Sequence, residues 1–367
     1  MSVTMDDAVA AETVLSRVDG EGGRLVVRGL DLEDLVAGHG FEATAALLWG
    51  AVDPGLGDPA AVATRLGAAR ARAFGRVPAI LAATDGLAPI DVLRAGVAAL
   101  SADGDRAAVL LATAAMPVLL AATARRGRGL APVAPDPALG QVADLLRMLD
   151  GAPADPARVR ALEVYLVTVA DHGMNASTFA ARVIAATASD PLSAVAGAIG
   201  ALKGPLHGGA PGPVLDMLDA VGDPADADAW IAAALARGER LMGFGHRIYR
   251  ARDPRADVLK AALADLGPRD PARAALAEAV ERAARTALAA RYPGRRLDTN
   301  VEFYTALLLE AVGIDRTLFT PAFAVGRVLG WTAHVLEQRA TGRLIRPKSH
   351  YVGPLPEGDD YRAAANG

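Results

Sequence analysis

A mainly α-helical chain is expected from three features of its 367 residues. Helix-start pairs such as Asp-Pro recur along it, apolar residues return at helical spacing, and only one strand pair is persuasive. Strands do not alternate with helices, so no parallel sheet is indicated.

The strand pair comes first. Residues 13–18 and 24–28 are β-prone, and Asp19-Gly20 and Gly22-Gly23 between them supply turn residues, which predicts a β-hairpin. Asp31 can cap a helix through residue 37 that Gly38 or Gly40 ends. Helices follow over residues 41–49 and 91–100. Residues 107–124 carry no charge for 18 positions, the length at which a membrane span becomes a candidate. Eight of them are Ala and Pro117 interrupts the middle, so a buried helix pair in a large helical core is expected instead, and no membrane protein.

Asp155-Pro156 starts the next helix, with Leu162, Tyr165, Leu166 and Val169 on one face. It runs into Asp171-His172-Gly173-Met174-Asn175, where Asn175 can cap a helix carrying Phe179, Val183 and Ile184. Residues 203–212 hold six Gly or Pro around His207, a density that stops helices and lets backbone approach a ligand. A plain turn with an exposed histidine fits that segment equally. Asp253-Pro254 starts a helix ending near Gly267, Asp270-Pro271 starts a long charged one, and Thr320-Pro321 opens a last apolar helix through Arg339. Beyond Pro354 the tail is polar and expected to be loose.

Length suggests about two domains. Hydrophobic residues make up 52%, which implies a large core. The net charge of −4, with both signs interspersed, argues against nucleic-acid binding. The absence of cysteine excludes disulfides, thiolate nucleophiles and Cys-ligated metals. Residues 1–12 are acidic and show no signal-peptide pattern, so a cytoplasmic location is expected.

Three of the six histidines, His172, His207 and His246, sit at glycine-rich breaks between helices. Gly243-Phe244-Gly245 before His246 is a lone GxG with no preceding strand, so a dinucleotide site is rejected. A zinc site from these histidines lacks the helical i, i+4 ligand pair, and no metal is expected. Glu302 has two readings: a capping box with Thr299, or a general base at a helix N-terminus where the dipole favours a carboxylate. Arg327 is the sole formal charge between residues 321 and 336, so a buried guanidinium there needs an anionic partner from the protein or from a ligand. Gly326 and Gly330 beside it allow another backbone to come close. Arg255 sits in a first helical turn, where the dipole disfavours a cation and a bound anion would resolve the conflict. With Arg346, these arginines could clamp a small di- or tricarboxylate.

At this point the residues match a family. The chain resembles the citrate synthases over nearly its whole length. The matching stretches are Asp171-His172-Gly173-Met174-Asn175-Ala176-Ser177-Thr178, Gly204-Pro205-Leu206-His207-Gly208-Gly209-Ala210, Met242-Gly243-Phe244-Gly245-His246-Arg247 and Asp253-Pro254-Arg255-Ala256. They continue with Asn300-Val301-Glu302-Phe303-Tyr304, Arg327 followed by Gly330-Trp331-Thr332-Ala333-His334, and Arg346-Pro347. The resemblance implies a two-domain helical homodimer: a large domain of residues 1–207 and 314–367, and a small one of residues 208–313, with the site between them. It implies an acyltransferase of the tricarboxylic acid cycle that joins acetyl-CoA to oxaloacetate, with the CoA thioester as substrate and no cofactor. Glu302 would take the methyl proton, His207 would bond the thioester oxygen, and His246 would polarise the keto group. His172, Arg255, Arg327 and Arg346 would hold the oxaloacetate carboxylates, Arg346 coming from the partner subunit. Arg247, Arg250 and Lys348 are candidates for the CoA phosphates.

One departure stands out. The family's best-known members carry Asp where this chain has Glu302. The extra methylene extends the carboxylate by about 1.5 Å, and a misplacement of about 1 Å can cost roughly 10²-fold in rate. Either the backbone is set back, or the enzyme is slow or uses another acyl-CoA. A 2-methylcitrate synthase using propionyl-CoA and a non-catalytic carboxylate-binding homologue stay open as alternatives.

Overall fold

The structure, a computed structural model, describes residues 9–208, 211–245, 249 and 252–354. The N-terminal hairpin is present: β1 (Ser16–Asp19) pairs antiparallel with β2 (Arg24–Val27), Ser16 facing Val27 and Asp19 facing Arg24. A third strand, β3 (Leu30–Asp31), was not expected. Arg28 and Gly29 both take positive φ, which reverses the chain at once and lays Leu30 against Val27.

Helices then fill the chain: α1 (Leu32–Gly38), α2 (Phe41–Gly50), α3 (Pro59–Phe74), α4 (Val77–Ala83), α5 (Pro89–Ala98), α6 (Asp105–Gly127), α7 (Gln141–Asp150) and α8 (Pro156–Thr168). They continue with α9 (Ala176–Ala185), α10 (Pro191–Leu202), α11 (Pro211–Val221), α12 (Ala227–Ala236), α13 (Pro254–Leu266), α14 (Pro271–Arg291), α15 (Val301–Val312) and α16 (Phe319–Thr341). The Asp-Pro starts work as their chemistry demands: Asp155, Asp190, Asp253 and Asp270 each accept a backbone N–H of the first turn, with Pro where no N–H is needed. Asp31 stands at its helix start without a capping bond, because its carboxylate is forked to Arg24 across the sheet.

The expected helix pair at residues 107–124 is one continuous helix, α6, with Pro117 inside it. Proline removes the N–H that would bond the Thr113 carbonyl. Gln141, fully buried, supplies the missing donor: its Nε2 lies 2.9 Å from that carbonyl, while Arg70 bonds its Oε1 at 2.9 Å. The freed acceptor is satisfied by tertiary structure, so the helix does not break. α6 is the one described helix long and apolar enough to cross a membrane, and 94% of that stretch is buried inside the protein.

α16 is the core helix. It packs against α2, α6, α8, α9 and α10 and is buried from Ala324 to Gln338. Its contact with the end of α8 is a backbone contact. A Cβ on Gly326 would meet the Leu166 carbonyl at 2.8 Å, and one on Gly330 would meet the Ala170 carbonyl at 2.4 Å. Gly330 N–H instead donates to that carbonyl at 3.0 Å. The segment leaving α8 is thereby fixed against α16, and it carries His172.

Replacing Gln141 by Leu leaves the Thr113 carbonyl buried without a donor and removes a partner of Arg70. The expected cost is about 1–3 kcal/mol, read as a lower denaturant midpoint.

Candidate active site

Five parts of the chain carry the candidates that the structure describes around this region: the α10–α11 turn, α16, α13, the segment between α8 and α9, and α15. His207 lies in the turn between α10 and α11, its N–H bonded to Gly204 O at 2.9 Å. Thr320 of α16 pins that turn through Gly208 O at 2.9 Å. The imidazole Nε2 is 2.8 Å from Ser177 Oγ on α9, and the ring meets Phe323 of α16 edge-on, centroids 6.5 Å apart. The histidine is therefore held from two helices, and the reading as a loose exposed turn does not stand.

Ser177 has a single proton to give. Trp331, whose indole can only donate, bonds Ser177 Oγ at 3.0 Å. The serine proton goes to Asn175 Oδ1, 2.8 Å away, or to His207 Nε2. In the second case the proton of the neutral ring resides on Nδ1. Burial, reinforced by the charge of Arg327, pushes the His207 pKa down to about 4, so the ring is neutral at physiological pH.

Arg327 follows Gly326 into the interior and is 2% exposed. Its Nε donates to Val169 O at 2.6 Å, and its guanidinium lies 4.7 Å from the Phe323 ring centre. Among the described residues it forms no ion pair with a carboxylate. Burial pushes its pKa down to about 10, with the field of Arg255 adding to that and Asp171 opposing it. Among the described residues, the anionic partner that the sequence demands is not a protein carboxylate within contact distance.

Arg255 differs. Asp253 forks its guanidinium, Nε to Oδ1 at 2.9 Å and Nη2 to Oδ2 at 2.9 Å. The conflict with the helix dipole is met by this neighbour and does not itself require a ligand. Arg255 also lies over the Tyr249 ring at 5.5 Å, and the Tyr249 hydroxyl is 3.1 Å from His172 Nε2. His172, 7% exposed, thus joins Arg255 through one tyrosine.

Glu302 is the second residue of α15. The capping-box reading fails: Asn300 is the cap, its Oδ1 accepting Glu302 N–H at 2.9 Å, while Thr299 turns away to donate to Glu281 at 2.7 Å. Among the described residues the Glu302 carboxylate has no hydrogen-bond or ion-pair partner. Burial raises its pKa above the ordinary glutamate value, against the opposing fields of Arg240 and Arg255. Asp253 ties the start of α15 to Arg255, since its Oδ2 also accepts Val301 N–H at 3.2 Å.

His246, Arg247 and Arg250 lie outside the described residues. Before them, Phe244 bridges Thr299, and Asn300 Nδ2 donates to Gly245 O at 2.7 Å, so residues 244–245 lie beside the cap of α15. Gly243 and Gly245 take positive φ, and a Cβ at either would strike Phe303 or Leu297 at 2.9 Å. The GxG is thus a packing requirement against α15 and the segment that leads into it. Arg346 and Lys348 lie exposed on the segment after α16 and make no hydrogen bond or ion pair with this cluster among the described residues. No described group of three His, Asp or Glu could hold a metal ion.

Sequence reasoning assigned no role in the site to Ser177, Tyr249, Phe323 or Asp253, the last being read only as a helix start. Ser177 and Asp253 stand inside matching stretches beside named residues, which was a usable signal. Phe323 and Tyr249 carry apolar rings that packing explains equally well.

The chain is similar to known proteins along nearly its whole length. The family model for the citrate synthase C-terminal domain matches residues 4–348. A citrate synthase of Haloferax volcanii is 40% identical over 95% of this chain and 95% of its own length. A 2-methylcitrate synthase of Mycobacterium tuberculosis is 39% identical over 94% of this chain and 88% of its own. The crystal structure of citrate synthase from Thermotoga maritima superposes with a TM-score of 0.83, at 32% identity, covering 97% of both chains.

The depressed His207 pKa has a sign. The unfolded ring, near 6.5, binds a proton that the folded ring refuses until about pH 4. Stability should therefore fall as pH drops from about 6.5 to about 4, and the fall should be shallower in His207→Gln. Denaturant titrations across that range check it.

Proposed function

The chain belongs to the citrate synthase family and condenses an acyl-CoA with oxaloacetate, and we propose that its acyl donor is acetyl-CoA, with Glu302, His207 and His246 performing the chemistry. The observation that carries the assignment of the keto-acid site is Arg327, a buried cation beside His207 with no carboxylate in contact among the described residues. A dicarboxylate supplies the missing charge, as forked guanidinium bonds do best.

A thioester methyl is too weak an acid for a carboxylate alone. Glu302 removes one proton while a donor faces the thioester oxygen, so that the enolate charge meets a hydrogen bond as it develops. His207 is that donor, as a neutral imidazole with its proton on Nδ1 and Ser177 donating to Nε2. The raised pKa of Glu302 makes it a stronger base than an exposed glutamate. The enol carbon then attacks the keto carbon, His246 donating to the keto oxygen as it becomes an alkoxide. Water cleaves the citryl-CoA thioester, giving citrate and CoA. His172, Arg255 and Arg327 hold the oxaloacetate carboxylates. Arg346 completes the set from a second subunit of a homodimer, a role in keeping with its exposure on a segment that also displays Leu344, Tyr351 and Val352. Arg247, Arg250 and Lys348 take the CoA phosphates. Residues 208–313 form the smaller lobe, which closes over both substrates and excludes water.

Acetyl-CoA should give CoA release only when oxaloacetate is present. Propionyl-CoA should be poorer in kcat/KM, within the roughly 10–200-fold that one methylene can decide. The reverse order would make the chain a 2-methylcitrate synthase, as one relative at 39% identity is named. Ligand binding without CoA release would make it a carboxylate-binding homologue.

Glu302→Gln should lower CoA release by roughly 10²–10⁴-fold with the oxaloacetate Kd nearly unchanged in calorimetry. Unchanged turnover would refute Glu302 as the base. In wild type the acid limb of kcat/KM should lie above the usual glutamate pKa of 4.5, because the base must stay ionised and its pKa is raised. Protonation of His207 contributes only near pH 4.

A further inference from the structure

We propose that Ser16 and the buried pair Arg182 and His334 are positioning residues for His172, fixing the imidazole that holds the keto acid. This rests on His172 being a ligand of oxaloacetate.

His172 stands between two residues that one hydroxyl holds. Ser16 Oγ donates to Asp171 Oδ2 in a short hydrogen bond and accepts Gly173 N–H at 3.1 Å. The residues before and after His172 are thus fastened to the same atom, which lies on β1. The hairpin, remote in sequence, becomes a support for the segment that carries His172.

Asp171 is held from its other side. Its Oδ1 faces His334 Nε2 at 3.3 Å. Both atoms are buried and neither has a hydrogen-bond partner of ordinary geometry, so each depends on the other. The proton on that contact can be placed. Arg182 Nη1 is 2.8 Å from His334 Nδ1, and a guanidinium only donates. Nδ1 is therefore the acceptor, and the proton of the ring sits on Nε2, aimed at Asp171. Arg182 is fixed in turn by Glu337 at 2.5 Å and by Gln338 Oε1 at 3.0 Å. Glu337 Oε1 closes the circuit by accepting Val14 N–H at 2.8 Å and the Thr13 hydroxyl at 3.2 Å.

The network therefore joins the start of β1 to α9, α16 and the segment after α8. Its charges, Arg182 with Glu337 and Asp171 with its two donors, are satisfied internally. Nothing in it faces the cleft except through His172. A network built only to hold the core together would not need to end on both neighbours of a ligand residue.

The test uses the full-length chain, with oxaloacetate binding followed by calorimetry and steady-state kinetics with each substrate varied. Ser16→Ala should raise Kd and KM for oxaloacetate about tenfold, the loss of one hydrogen bond to a charged group. KM for the acyl-CoA should stay close to wild type, while the melting temperature falls by a few degrees at most, the loss of one buried hydrogen bond. His334→Leu should show the same one-sided rise. His334→Gln, whose amide offers both an N–H to Asp171 and an oxygen to Arg182, should recover most of it. Unchanged oxaloacetate constants in Ser16→Ala and His334→Leu overturn the proposal while leaving the reaction in place. Equal rises in KM for both substrates, or failure of Gln to rescue, overturn it in favour of a general packing role. A wild-type chain that binds no oxaloacetate overturns this proposal together with the keto-acid site itself.

Discussion

Two missing side chains set the geometry of this protein. Gly326 and Gly330 let the backbone of α16 lie against that of residues 166–171, where any Cβ would collide with main-chain oxygen. The Gly330 N–H donates to Ala170 O, and Arg327, one residue past Gly326, donates to Val169 O. A cation is thereby placed at the C-terminal end of α8, where the helix dipole favours it. His172 leaves α8 three residues later. The residues of both segments that are proposed to hold the keto acid are positioned by one backbone seam.

Electrostatic cost is concentrated at the same place. His207 is driven neutral, the Glu302 proton is held more tightly, and the Arg327 charge is disfavoured, each mainly by burial. Shifts in these three directions are what desolvation does to an imidazole, a carboxylate and a guanidinium. Among the described residues, the protein compensates Arg255 with Asp253 but leaves Arg327 without a contacting carboxylate and Glu302 without a hydrogen-bond or ion-pair partner. In the proposed reaction an anion relieves the first and a C–H acid uses the second. Strain of this kind is a poor way to stabilise a fold and a good way to bind and deprotonate a substrate.

The corrections share one cause. Thr299 and Glu302 have capping-box spacing, yet Glu281, on α14, competes for Thr299 and Asn300 takes the cap. Pro117 should break a helix, yet Gln141 from α7 repairs the ladder. Asp31 should cap α1, yet Arg24 on the neighbouring strand claims its carboxylate. In each case a local rule lost to a partner from another element.

Helix starts, the β-hairpin and the kinds of residue in the site were legible in the sequence. A capping aspartate bonds an N–H two or three positions away, and nothing distant is needed to make it do so. The glycines beside Arg327 also announced a close approach correctly. The partners of the buried polar groups were decided only by tertiary structure. Ser16 and Asp171 are 155 positions apart, and His334 and Arg182 are 152 apart. No periodicity or spacing reaches across such separations. A side chain's donors and acceptors are fixed by its chemistry, but which of them meet is fixed by how helices pack.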